Sequence, residues 1–70
     1  MTPKEKAIEI INKINGQPIS VEEWNKASEY AKNDLKRKAL IVVNEVLSIT
    51  YLLKRETYFY NQVKFEILNL

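Results

Sequence analysis

Few side chains in this sequence are suited to chemistry, because its 70 residues include no cysteine and no histidine. Those absences remove the usual zinc ligands, the cysteine and serine–histidine nucleophiles, and the side chain best suited to proton transfer near neutral pH. A single glycine also argues against a glycine-rich, phosphate-binding loop. We therefore expect no enzyme, no metal site and no cofactor, and assign no catalytic residue.

Two places in the sequence, which together contain three glutamates, still suggest a catalytic interpretation. Glu45 lies beside Asn44 inside an apolar run, and Glu22 lies beside Glu23 near a predicted helix start. A lone carboxylate without a histidine, a thiol or a second close carboxylate has no partner for acid–base catalysis. The glutamate pair is better explained by the helix N-terminus, which favours negative charge. Asn44, if buried at an interface, would fix helix register.

Positive charge concentrates in residues 26–38, which carry five lysines or arginines against two acidic residues. Such a patch is typical of contacts with nucleic-acid phosphates. The candidate contact residues are Lys32, Lys36, Arg37 and Lys38. The competing interpretation is a solvated helix face with internal ion pairs, such as Glu29 with Lys32 or Asp34 with Lys38. Because no aromatic residues alternate with these cations, nucleic-acid binding is our alternative function and not our first.

Aromatic residues cluster at Tyr58, Phe59 and Tyr60, and Phe65 follows them. Such rings can stack on nucleobases. Three consecutive helical residues cannot all face one way, so at least one of these rings should be exposed. We favour packing in the core or at an interface for the group.

The elements that must position these side chains are helices. Thr2 and Glu5 match a capping box, Pro3 suits the first helical position, and alanine and isoleucine recur at helical spacing up to Ile14. Gly16 is suited to end the helix. We predict a first helix from about residue 3 to residue 15.

Ser20 and Glu23 form a second capping-box match, and no glycine or proline follows as far as Arg55. Apolar residues recur at steps of three and four throughout this segment. We favour one continuous helix over residues 20–55, and the alternative is two helices interrupted at Asn33–Asp34, where either residue can cap a new start.

A third amphipathic helix is predicted from about residue 57 to the end, where Thr57 would cap it and Lys54 and Arg55 would suit the last turn of the helix before it. Residues 41–43 also favour a strand, but the sequence offers no second strand to pair with. We predict one all-α domain, residues 1–70: a three-helix bundle with a long central helix, open to dimerisation.

A helical wheel divides the apolar residues of the central helix into two stripes and a remainder. The main stripe, expected to face the core, includes Ala39, Val42 and Val46. The second stripe, displaced from the first, comprises Leu40, Val43 and Leu47. The remainder, Tyr30, Ile41 and Leu52, belongs to neither stripe and flanks the polar side. Isolated exposed apolar residues are common, but we interpret these three as a candidate protein interface for a homodimer or an unidentified partner.

Three segments together resemble a group of short phage, prophage and mobile-element proteins of Bacteroidetes-type bacteria, whose function is not known. They are residues 2–7, residues 31–32 with the run 39–46, and residues 60–70. Members of the group open on a similar Pro-Lys-x-Lys-Ala phrase and close on a Val-Lys-x-Glu-Ile-x-x-Leu tail. This chain departs at Asn44 and Tyr60, where the group often has Asp and Trp. The resemblance implies a phage or mobile-element origin and helical structure.

No apolar run approaches the roughly 18–20 residues that cross a bilayer. The N-terminal residues do not match a signal peptide. We expect no membrane partner and a cytoplasmic location, the host cytoplasm if a phage encodes the protein. The expected function is a small interaction module that acts by self-association or by binding another protein.

Overall fold

The computed structural model describes residues 1–53 and 56–70. Within them the chain forms four helices: α1 (Pro3–Asn15), α2 (Val21–Lys26), α3 (Glu29–Leu53) and α4 (Thr57–Leu68). These residues include no strand, so the all-α fold with a long central helix is confirmed. Lys54 and Arg55, which we expected in a last helical turn, lie outside the described residues.

Helix α1 begins and ends as its sequence predicts. The Glu5 backbone N–H donates to Thr2 Oγ1 at 3.1 Å, and the Thr2 N–H donates to Glu5 Oε1 at 2.9 Å. Gly16 ends the helix in the left-handed region at φ +87°, and its N–H donates to the carbonyls of Asn12 and Lys13. The reciprocal cap and the left-handed glycine satisfy the groups that a helix leaves open at its ends.

The continuous helix predicted over residues 20–55 is wrong, because the chain leaves the helix at Ala27. Ala27 adopts an extended backbone, φ −66° and ψ 147°. Ser28 then caps α3, accepting the Ala31 N–H on its hydroxyl oxygen at 3.1 Å. The break falls six residues before the interruption we considered at Asn33–Asp34. It allows Trp24 on α2 to turn inward and pack against the core.

Helices α1, α3 and α4 pack against one another around a small core. The buried apolar side chains are Ala7, Ile10, Ile11, Ala39, Val43, Val63 and Ile67. Partly buried side chains of α4 and the C-terminus (Phe59, Tyr60 and Leu70) pack on this cluster. The amphipathic helix predicted from about residue 57 is therefore confirmed, with its apolar side packed on the core.

The inner face of α3 is rotated from the one we predicted. Ala39 and Val43 are fully buried, whereas Val42, expected beside Ala39 in the main stripe, is 39% exposed. Thr50 is also buried and donates its hydroxyl to the Leu47 carbonyl at 3.2 Å. The core lies nearer the second stripe than the main stripe, because both α1 and α4 pack against α3.

Helix α4 begins without a side-chain cap. Glu56, not Thr57, occupies the cap position, and it does so in the left-handed region at φ 52°. Its carbonyl accepts the Tyr60 N–H at 3.1 Å. In the part of the chain that is described, no helix is both long enough and apolar enough to cross a membrane.

Candidate interaction surface

Tyr30, Ile41 and Leu52 all lie on the solvent side of α3. They are 85%, 53% and 80% exposed. Successive members are 11 residues apart, which is three helical turns plus about 20°, so the three side chains form one line along the helix. At about 1.5 Å per residue the line is about 33 Å long, against 39 Å for the longest dimension of the molecule.

Polar side chains fill the gaps in this line. At 3.6 residues per turn, Asp34, Arg37, Glu45 and Ser48 all lie within about 40° of Ile41 around the helix. Asp34 is partly exposed and the other three are exposed. We call the seven residues the outer stripe: Tyr30, Asp34, Arg37, Ile41, Glu45, Ser48 and Leu52. Its apolar members lie at the centre and at both ends, with polar groups between them.

The basic cluster does not form one basic face. Lys36, Arg37 and Lys38 are consecutive helical residues and point in directions about 100° apart. Arg37 Nη2 and Lys38 Nζ each lie 2.9 Å from a carboxylate oxygen of Asp34. Lys32 Nζ lies 3.9 Å from Glu29 Oε1. The two ion pairs of our competing interpretation are therefore both present.

Lys32 is turned toward the protein. Its side chain is only 17% exposed, and its Nζ lies 5.9 Å from the centre of the Trp24 ring, within cation–π range. A lysine placed in this way joins α3 to α2 and presents little of its charge to solvent. The structure thus gives three of the four candidate phosphate-binding residues a partner within the chain.

Ion pairs shift the pKa of several surface groups. Hydrogen bonds from Lys38 and Arg37 lower the pKa of Asp34 below its ordinary value. On α1, Lys6 and Lys13 lower the pKa of Glu9, and the hydrogen bond to Glu9 raises the pKa of Lys6. These are surface pairs within single helices, and their members are partly or fully exposed, so each pair contributes little to stability.

The aromatic cluster divides between core and surface. Phe59 and Tyr60 pack edge to face with ring centres 5.3 Å apart and lie against the core, as we favoured for the group. Tyr58 is exposed, which agrees with the expectation that one of the three would be. Phe65 is also exposed, contrary to our preference.

Two shallow grooves border α1. One, of about 320 Å³, is lined by α1, α4 and α3, including Val42 and Val46. The other, of about 310 Å³, lies between α1, α2 and the C-terminal Leu70, with Trp24 in its wall. Among the described residues no group of acidic side chains could hold a metal ion.

Sequence reasoning missed further exposed apolar residues beside the outer stripe. Tyr51 is exposed, and so are Val42 and Ile49, although the wheel placed both of them in the main stripe, which we expected to face the core. Ile49 and Val42 share the side of α3 between the outer stripe and α1. No signal in the sequence identified them, because the burial of Thr50 on the inner face is known only from the structure.

Asn44 and the three glutamates of the catalytic interpretation are exposed. The backbone carbonyl of Asn44 accepts a hydrogen bond from the Ser48 hydroxyl at 3.1 Å. Glu23 serves the cap of α2, where its backbone N–H donates to Ser20 Oγ at 3.0 Å. Comparison of the chain with family models, with curated proteins and with solved structures found no match.

Proposed function

We propose that the protein is a small interaction module, of phage or mobile-element origin, that acts in the host cytoplasm by binding itself or one protein partner through the outer stripe of α3. The observation that supports this proposal is the alignment of Tyr30, Ile41 and Leu52 along the exposed side of the helix. Burying one large apolar side chain is worth ~1.5–3 kcal/mol. Three of them in a line give a helical partner apolar contacts at the centre and at both ends of the outer stripe.

The test is the mass of the protein in solution. We expect light scattering after size-exclusion chromatography to give a mass above 8.2 kDa at high micromolar concentration. Leu52→Asp should return the mass to that of the monomer, since it puts a charge into the contact. Val21→Asp is the matched control, because Val21 is as exposed as the stripe residues but lies on α2.

If the wild-type protein is a monomer, it can still act by binding another protein through the outer stripe. A pull-down from host lysate tests this form of the proposal. Capture of a partner by the wild type and by Val21→Asp, but not by Leu52→Asp, supports that form. Equal capture by all three proteins contradicts the outer stripe as the binding surface.

Nucleic-acid binding is the alternative proposal. It depends mainly on Lys36, since Lys32, Arg37 and Lys38 have ion-pair partners in the chain. It requires a retarded band in a mobility-shift assay at low salt, with affinity that falls steeply as salt is added. We expect no such band. A retarded band that Lys36→Ala removes would favour the alternative.

A further inference from the structure

We propose that the outer stripe pairs with the outer stripe of a second copy of the chain, in antiparallel orientation, about a two-fold axis at Ile41. This inference rests on the proposed function and names its partner. Tyr30 and Leu52 are each 11 residues from Ile41. A two-fold axis at Ile41 therefore sets Ile41 against Ile41 of the second copy, and Tyr30 against Leu52 of the second copy at both ends.

The layers between these apolar contacts also match. The same axis sets Asp34 opposite Ser48 of the second copy. The Ser48 hydroxyl can turn from the backbone carbonyl of Asn44 in its own helix to donate a hydrogen bond to this carboxylate. In each layer one residue lies about 20° to one side of the Ile41 line and its counterpart about 20° to the other. Antiparallel helices pack in this alternating way, with each side chain beside its counterpart.

The flanking charges favour the antiparallel orientation. Lys38 and Glu45 lie on the same side of the stripe, about 60° and 40° from Ile41. In an antiparallel pair, flanks of the same side meet, so Lys38 lies within one residue, about 1.5 Å along the axis, of Glu45 of the second copy. Symmetry makes this contact twice, and in each one the Lys38 ammonium group, which already pairs with Asp34 of its own chain, lies near two carboxylates. On the other side, Arg37 meets Asn44 of the second copy, whose amide oxygen accepts hydrogen bonds.

A parallel pair would be opposed by the same charges. Parallel helices in register set Arg37 and Lys38 of one copy beside those of the other, and like charges in contact are destabilising. It would also set Tyr30 against Tyr30 and leave Glu45 without a cation. The sequence of the stripe is thus complementary to its own reverse and not to itself in the same direction.

The surface is accessible over its whole length. Helices α1 and α4 pack on other sides of α3, and six of the seven stripe residues are exposed, with Asp34 partly so. The 11-residue spacing keeps the line nearly parallel to the helix axis and favours a slight right-handed crossing. Because only three large apolar side chains of each copy enter the contact, we expect a weak, concentration-dependent dimer.

Cross-linking tests the register directly, because the chain has no cysteine. With a short bis-maleimide, Ile41→Cys should give a covalent dimer. Tyr30→Cys alone should not, since the two copies of that position would lie about 33 Å apart. An equimolar mixture of Tyr30→Cys and Leu52→Cys should cross-link, and Val21→Cys gives the background from random collision.

Charge reversal tests the flanking contacts. Lys38→Glu and Glu45→Lys should each raise the Kd of the dimer at least about tenfold, because each replaces two ion pairs with two repulsive contacts. In an equimolar mixture of the two variants every flanking contact is again between opposite charges. We expect the mixture to form a heterodimer with nearly wild-type affinity, which also shows that both variants are folded.

The outcomes separate this inference from the proposed function. A dimer that cross-links through Tyr30→Cys alone, or whose charge variants do not complement each other, overturns the antiparallel pairing and leaves self-association in place. A wild-type protein that stays at 8.2 kDa at millimolar concentration overturns the self-pairing altogether. The pull-down from host lysate then still tests whether the outer stripe binds another protein.

Discussion

Both faces of α3 carry apolar side chains, but these side chains differ greatly in exposure. The inner face carries Ala39 and Val43, which are fully buried, and the outer face carries Ile41 and Leu52, which are mostly exposed. Ile41 lies two residues from both Ala39 and Val43, on the opposite side of the helix. Side-chain type alone does not tell which face is the core; the positions of α1 and α4 do.

The comparison separates folding from association. A change on the inner face should alter the stability of the single chain, and a change on the outer face should alter only what the folded chain binds. The domain is small enough that its core supplies no more than ~3–5 kcal/mol. Inner-face substitutions should therefore be detected at once by thermal unfolding.

Val43→Asp gives the largest expected effect. It places an unpaired charge in the core, which we expect to cost at least about 3 kcal/mol and to unfold the domain. Loss of the helical circular dichroism signal is the measurement. Ile41→Asp, two residues away on the outer face, should keep that signal and its melting temperature at low protein concentration. Equal effects of the two variants would remove the distinction between the faces.

Ser28→Ala should have the next largest effect, about 1 kcal/mol of lost stability, because Ser28 accepts the Ala31 N–H at the start of α3. Urea unfolding measures it. At low protein concentration, Ser48→Ala is the matched control, since in the single chain that hydroxyl only donates to a backbone carbonyl of its own helix on the outer face. If Ser28→Ala were as neutral as its control, α3 would not begin at Glu29.

Val42→Asp should cost less than about 1 kcal/mol, as is usual for surface substitutions. Val42 is half-exposed and shares a groove with Lys6 and Lys13, which can pair with a new carboxylate. The melting temperature of the Val42→Asp variant is the measurement. A small change would contrast with the large effect expected for Val43→Asp at the next position. Unfolding by Val42→Asp would restore the core face that the wheel predicted.

Acid should produce the smallest effect. Lys38 and Arg37 lower the pKa of Asp34 in the folded chain below its ordinary 3.8. The stability from this pair is therefore present above about pH 3.8 and is lost as the pH falls through the lower folded value. Asp34→Asn should make the melting temperature fall less steeply between pH 5 and pH 2. An unchanged slope would mean that the pair contributes nothing.

Local signals in the sequence were enough for α1. Its bounds follow from Thr2, Pro3 and Gly16, since each of these residues acts on its own neighbours in the chain. The end of α2 was not predictable in this way. Ala27 is a good helix former, and Ser28 has no glutamate three residues later to mark a capping box. The break depends on Trp24 reaching the core, which is a tertiary contact.

The candidate interface was predictable in part. The wheel identified Tyr30, Ile41 and Leu52 as residues outside both stripes, and the structure exposes all three. Whether they form an interface stays a prediction. The helical wheel could not identify which side of α3 faces the core. That side depends on the packing of α1 and α4 against α3 and includes the buried Thr50.

The contact between Trp24 and Lys32 gives the protein an internal spectroscopic probe. Trp24 is the only tryptophan, and its ring environment depends on α2 lying against the core and under the Lys32 ammonium group. A helix of six residues does not persist by itself. Fluorescence therefore reports the docking of α2, whereas circular dichroism mainly reports α3. Denaturation curves that coincide would show one cooperative unit, and an earlier fluorescence change would show that α2 opens first.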